Sequence, residues 1–148
     1  MINDNLKAKG RLSVVLTGAD GTIKETRSID NLVVNTGLAF ITSRMAGTSS
    51  AVMSHMAVGS GSVAAAGGNT ALGTELGRVT LSGTTPTGAA IEYTATFGAG
   101  VATGAVTEAG ILNAASVGTL LCRTVFAVVN KGAADTLSIT WTITLSAS

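Results

Sequence analysis

Thr136-Leu-Ser-Ile-Thr-Trp-Thr-Ile-Thr-Leu145 alternates apolar and hydroxyl side chains without a break. Successive side chains of a strand face opposite sides, so Leu137, Ile139, Trp141, Ile143 and Leu145 point one way and Ser138, Thr140, Thr142 and Thr144 the other. The stretch predicts a half-buried strand. Trp141 is in phase with four aliphatic residues, which predicts a core side chain rather than a ligand-stacking one. Asn130 to Asp135 reads as the turn before it. In Thr119 to Phe126 the residues Leu120, Cys122, Thr124 and Phe126 alternate with Leu121, Arg123 and Val125. Both faces are largely apolar, which predicts a central strand with Cys122 as a small buried hydrophobe.

The same periodicity extends towards the N-terminus. Lys9 to Thr17 places Leu12, Val14 and Leu16 on one face, Asp20-Gly21 supplies a turn, and Thr22 to Asp30 returns as a strand whose charges suit a solvent-facing or edge position. One short α-helix is predicted at about residues 37–46. Asn35 or Thr36 is the expected cap, Leu38, Ile41 and Met45 share a face, and Gly47 is the terminating glycine. Ala51 to Val58 predicts a buried strand. Gly59 to Gly77 predicts an irregular loop with a helical turn at Thr70 to Leu76. Strands follow at Arg78 to Ser82, at Ala90 to Phe97 after a turn around Pro86 and Gly88, and at Val106 to Leu112. Seven to nine strands with recurrent turns predict an all-β, jelly-roll-like antiparallel β-sandwich forming a single domain over 1–148, with residues 1–8 as an extended N-terminal arm.

Gly, Ala and Thr together make up 64 of the 148 residues, charged residues are 11%, and the net charge is +1. Residues 1–30 carry five positive and four negative side chains, leaving four of each sign for the remaining 118. The body therefore presents Thr, Ser, Gly and Ala, or is covered by other chains. Uncharged small-residue surface is easily desolvated, which favours permanent contact. No basic run suits many phosphate contacts, so nucleic acid is not an expected partner. No apolar run approaches the ~18 residues of a membrane helix, and Met1 to Arg11 is polar, unlike a secretory leader. No membrane partner is expected. One Cys and one His make neither an internal disulfide nor a Cys/His zinc cage.

Reactive groups are scarce. His55 is the sole histidine and so the one imidazole available as a general base; Ser54 is adjacent, and on a strand the two would face opposite sides. Gly47-Thr48-Ser49-Ser50-Ala51 loosely matches a nucleophile elbow but follows a helix, where that motif needs a strand. Gly59-Ser60-Gly61 invites a phosphate-cradle reading, without the Walker ending or a βαβ context. Glu75, Glu92, Glu108 and Asp135 are expected in surface or salt-bridge roles. No catalytic residue, metal or cofactor is expected, and the chain reads as an assembly part rather than an enzyme. The expected interface residues are Lys7, Lys9 and Arg11 of the arm and Gly59, Ser60, Gly61, Ser62 and Val63 of the long loop.

Several segments carry a resemblance: Asn31-Leu-Val-Val-Asn-Thr-Gly-Leu-Ala-Phe-Ile-Thr-Ser-Arg-Met45, Met56-Ala-Val-Gly-Ser-Gly61 with Asn69-Thr-Ala-Leu-Gly-Thr-Glu75, and Ala95-Thr-Phe97 with Gly104-Ala-Val-Thr-Glu-Ala-Gly-Ile-Leu-Asn113. Arg123-Thr-Val-Phe126, Val129-Asn-Lys-Gly132 and Leu137-Ser-Ile-Thr-Trp-Thr-Ile143 complete it. Together they resemble virion structural proteins of tailed bacteriophages, most of all the small jelly-roll cement, or decoration, proteins of HK97-like heads. That resemblance implies a homo-oligomer, a dimer in preference to a trimer, on the outer surface of the capsid. It would bind the major capsid protein and clamp neighbouring capsomers. Tail, baseplate and fibre-associated proteins are the alternative.

Overall fold

The computed structural model describes residues 6–48 and 50–147. Nine strands and one helix follow one another as β1 (Leu6–Thr17), β2 (Ile23–Val33), α1 (Asn35–Met45), β3 (His55–Gly59), β4 (Glu75–Thr80), β5 (Gly83–Thr87), β6 (Ala90–Phe97), β7 (Gly104–Leu112), β8 (Leu120–Lys131) and β9 (Thr136–Ala147). All pairings are antiparallel, in the order β4-β3-β7-β8-β2-β1-β9-β6-β5. The expectation of a mostly β protein with one short helix holds. The strands belong to one hydrogen-bonded sheet curled into a half-barrel, where the two separate sheets of a sandwich were expected.

Curling follows from where the chain crosses. β4 and β5 are consecutive in sequence yet lie at opposite ends of the sheet. Two residues join them: Leu81 N–H donates to Ser54 O at 2.9 Å on one side, and Ser82 N–H to Thr94 O at 2.8 Å on the other. The concave side holds Leu12, Val14, Leu16, Phe97, Leu137, Ile139, Trp141 and Ile143 from one half of the sheet, packed against Met56, Val58, Ile111, Cys122 and Val129 from the other. Trp141 and Cys122 are fully buried, as their phase predicts. The hydrophobic face of each strand drives this closure, since an open nine-strand sheet would leave that face wet.

β2 and β8 pair as strands only at Leu32–Arg123 and Val33–Cys122, with Thr124 Oγ1 donating to Asp30 O at 2.9 Å beside them. Beyond that point the strands diverge, and Arg27 spans the gap by donating to Ala127 O and Val128 O. β2 otherwise alternates exposed and half-buried side chains, in keeping with its charged sequence.

Several local expectations need correction. The N-cap of α1 is Val34 rather than Asn35 or Thr36, and no side chain caps the helix. Thr36 Oγ1 instead donates to Leu120 O at 2.7 Å, and a Cβ on Gly37 would run into the backbone of Leu121. Gly37 thus lets the helix lie directly on β8. Gly47 takes φ 71°, as a terminating glycine does. Pro86 lies within edge strand β5, where its missing N–H is tolerated, rather than in a turn. The strand expected over Ala51 to Val58 is confined to His55–Gly59. Thr70 to Leu76 forms no helical turn; Glu75 and Leu76 already belong to β4. Of the expected arm, residues 6–8 are strand, paired with β9, and residues 1–5 lie outside the described residues.

Candidate functional site

The loop between β3 and β4 folds back over the outer face of β3, β7 and β8, and two residues from those strands hold it. Glu108 on β7 and Arg123 on β8 are both buried, at 0% and 2% side-chain exposure, and meet at 3.0 Å. Glu108 Oε2 accepts N–H groups from Gly61 at 2.6 Å and Thr74 at 2.7 Å, while Oε1 accepts Gly73 N–H at 2.7 Å and Arg123 Nε at 3.0 Å. Arg123 donates onward to Val63 O and Asn69 Oδ1, each at 3.0 Å. Thr107 Oγ1 donates to Gly61 O at 2.7 Å. Every strong group of the pair is occupied, which is what makes a buried charge tolerable.

Burial alone would raise the Glu108 pKa, but N–H donation from Thr74, Gly73 and Gly61, together with Arg123, outweighs it and holds the carboxyl below its ordinary value. The absent helical turn has the same cause. Gly73 and Thr74 spend their N–H groups on Glu108 rather than on a helix.

This geometry resolves Gly59-Ser60-Gly61. The anion that the glycine-rich segment cradles is the protein's own carboxylate, not a phosphate. A Cβ on Gly61 would overlap Glu108 Oε2, and one on Gly59 would overlap Thr74 O. Leu72 completes the arrangement by capping a second small cluster of Val34, Ala57, Leu112 and Leu120.

Of the expected interface residues, Gly59 is buried, Gly61 is half-buried, and Ser60, Ser62 and Val63 are exposed, Val63 at 78%. Lys7, Lys9 and Arg11 are exposed on one face of β1. β1 pairs with β2 and β9, and the two regions meet at Asp30, which pairs with Arg11 and lines a hollow with Ser62, Ala64 and Ala65 of the loop. The face of Lys7, Lys9 and Arg11 is a second surface, continuous with Thr140, Thr142 and Thr144 of β9, and carries a groove of about 770 Å³.

His55 has Thr80 and Leu112 as its strand partners, and Ser54 Oγ lies 2.8 Å from its Nδ1. The two side chains meet, contrary to the opposite-face expectation, because Ser54 precedes the strand. Among the described residues no carboxylate hydrogen-bonds His55 and no group of three metal-ligating side chains occurs.

Of the surface or salt-bridge roles expected for Glu108, the salt bridge holds, and it is a buried one. The signal was there: a single acid in the apolar run Val106 to Leu112 and a single base in Leu120 to Phe126. Lone opposite charges in two apolar strands need each other.

The chain matches no family model, no curated protein and no solved structure.

Proposed function

We propose that this chain is a virion structural protein, a cement or decoration protein that binds the outside of a tailed-phage head and stabilises contacts between capsomers. Its partners are then the major capsid protein and further copies of itself, a dimer in preference to a trimer. Its role is mechanical rather than catalytic. The observation that carries this proposal is the loop tied down by Glu108 and Arg123, which offers Ser60, Ser62 and Val63 as an uncharged rim. A loop already ordered loses little entropy when it docks, and an uncharged rim loses little hydration. The segments that resemble phage virion proteins supply the identity of the partner.

The finer architecture in this proposal is jelly-roll-like. Strands β5-β6-β9-β1-β2 and β8-β7-β3-β4 enclose one core, and the strand ladder between them is two residue pairs long, which supports viewing them as two faces of a sandwich.

Each copy then needs only a modest interface, because many copies act together on one shell. Densitometry of purified particles before and after tail removal tests the assignment. Head cement predicts hundreds of copies per particle that stay with tailless heads. Copies in the tens that leave with the tail overturn it in favour of a tail or baseplate part.

A further inference from the structure

The outer face of β1 carries Lys7, Lys9 and Arg11 at alternate positions, and strand geometry spaces them about 7 Å apart in one column. On the β9 side their neighbours are the neutral Ser146, Thr144 and Thr142. On the β2 side Asp30 reaches Arg11 at 3.5 Å, with both side chains exposed (67% and 83%), a weak pair that an incoming carboxylate can replace. Among the described residues Lys7 and Lys9 have no ion-pair partner. The column runs beside hydroxyl groups of Ser13, Thr140, Thr142 and Thr144, which can donate or accept without adding charge. The other exposed charges, Glu92 beyond Thr142 in the row of Arg11 among them, stand singly or in opposite-sign pairs, so among the described residues three like charges at alternate positions of one strand occur only here.

We propose that this column, together with the groove that Lys9 and Arg11 line and that Lys7 extends along β1, docks an extended, carboxylate-bearing segment of the shell protein, with Lys7, Lys9 and Arg11 each facing an acidic side chain. The inference rests on the assembly proposal for the source of that segment. An extended chain with acids at every second residue repeats at the same spacing of about 7 Å, so three pairs form in register. Single-stranded nucleic acid fits less well, because its binding draws on aromatic stacking. Here Tyr93, Phe97 and Trp141 are buried, and Phe40 and Phe126 are packed against the core.

The test uses fluorescence anisotropy with the intact chain and a labelled peptide of alternating Asp and Thr. Wild type binds, and raising salt from roughly 0.05 to 0.2 M weakens binding. The triple variant Lys7→Gln, Lys9→Gln, Arg11→Gln binds about tenfold more weakly, as expected for the loss of three exposed charge pairs. All three side chains are exposed, so its cooperative unfolding is unchanged, which separates lost docking from lost folding. Equal binding by the triple variant, or tighter binding of an oligothymidylate than of the peptide, overturns the inference. A triple variant that occupies particles at full copy number also overturns it, while leaving the assembly proposal standing. Peptide binding by a wild-type chain absent from purified particles overturns the shell as the source of the segment.

Discussion

The indole N–H of Trp141 donates to Oδ1 of Asn31 at 2.9 Å, in space left open by the absent side chain of Gly10. Gly10 is the strand partner of both Asn31 and Ile143, so the contact lies where β2, β1 and β9 run side by side. Trp141 is fully buried, and this bond satisfies its one polar atom. Asn31 Nδ2 is the one buried side-chain nitrogen or oxygen left without a partner among the described residues.

Gly10→Ala puts a methyl group into Asn31 Oδ1 and should cost about 1–3 kcal/mol, as overpacking does. Asn31→Ala strands the Trp141 N–H and should cost about 1–3 kcal/mol. The double variant should be less damaging than the sum, because removing the Asn31 side chain clears the space that the added methyl group enters. Urea denaturation of the four proteins checks this; strictly additive losses would refute the shared site.

Glu108→Gln removes the charge facing Arg123 and should cost about 3–5 kcal/mol, the range for breaking a buried pair from one side. Hydrogen exchange should show Gly61, Gly73 and Thr74 losing protection before the strands do. Acid behaviour follows from the lowered Glu108 pKa. Its stabilisation is present above the ordinary glutamate range and is lost as pH falls through the lower folded value. Asp135, lowered chiefly by its bond from Lys24, acts with the same sign. Stability measured against pH should be flatter on the acid side for Glu108→Gln than for wild type. Parallel curves would count against the role of Glu108.

Tyr93 is the chain's single tyrosine, and burial, with a smaller contribution from Cys122, pushes its pKa up to about 12. The phenolate absorbance should therefore titrate near 12 in the folded protein and near 10 when unfolded. The unfolded state ionises first, so stability should fall as pH rises through that interval. A single folded-state midpoint near 10 would contradict the buried placement.

Cys122 is fully buried, and burial pushes its thiol pKa up. A thiol reagent such as Ellman's should react only as fast as the protein opens, and the rate should rise with urea in step with unfolding. Rapid stoichiometric labelling under native conditions would show that the β7–β8 region opens on its own.

Strand positions were legible wherever one face is apolar and the other hydroxylic. Ala90–Phe97 and the Trp141 strand appear where the alternation puts them. The misread segments share a cause. Asn35 and Thr36 look like caps, yet the helix start is decided by how closely Gly37 approaches Leu121. Thr70 to Leu76 has helix-compatible residues, but Glu108 takes its N–H groups. Lys7 and Ala8 look like a free arm, because their partners Ser146 and Leu145 are far away along the chain.

By itself, the order of residues determined which side chains share a face and that no strand could stand alone, because alternation is a property of immediate neighbours and an exposed apolar row is unstable in water. Tertiary structure alone decided that β4 and β5 become opposite edges of one curled sheet and that the glycine-rich loop closes on Glu108, 47 residues from Gly61. Such pairings depend on which distant groups remain unsatisfied once the strands are laid side by side, and local pattern carries no record of that.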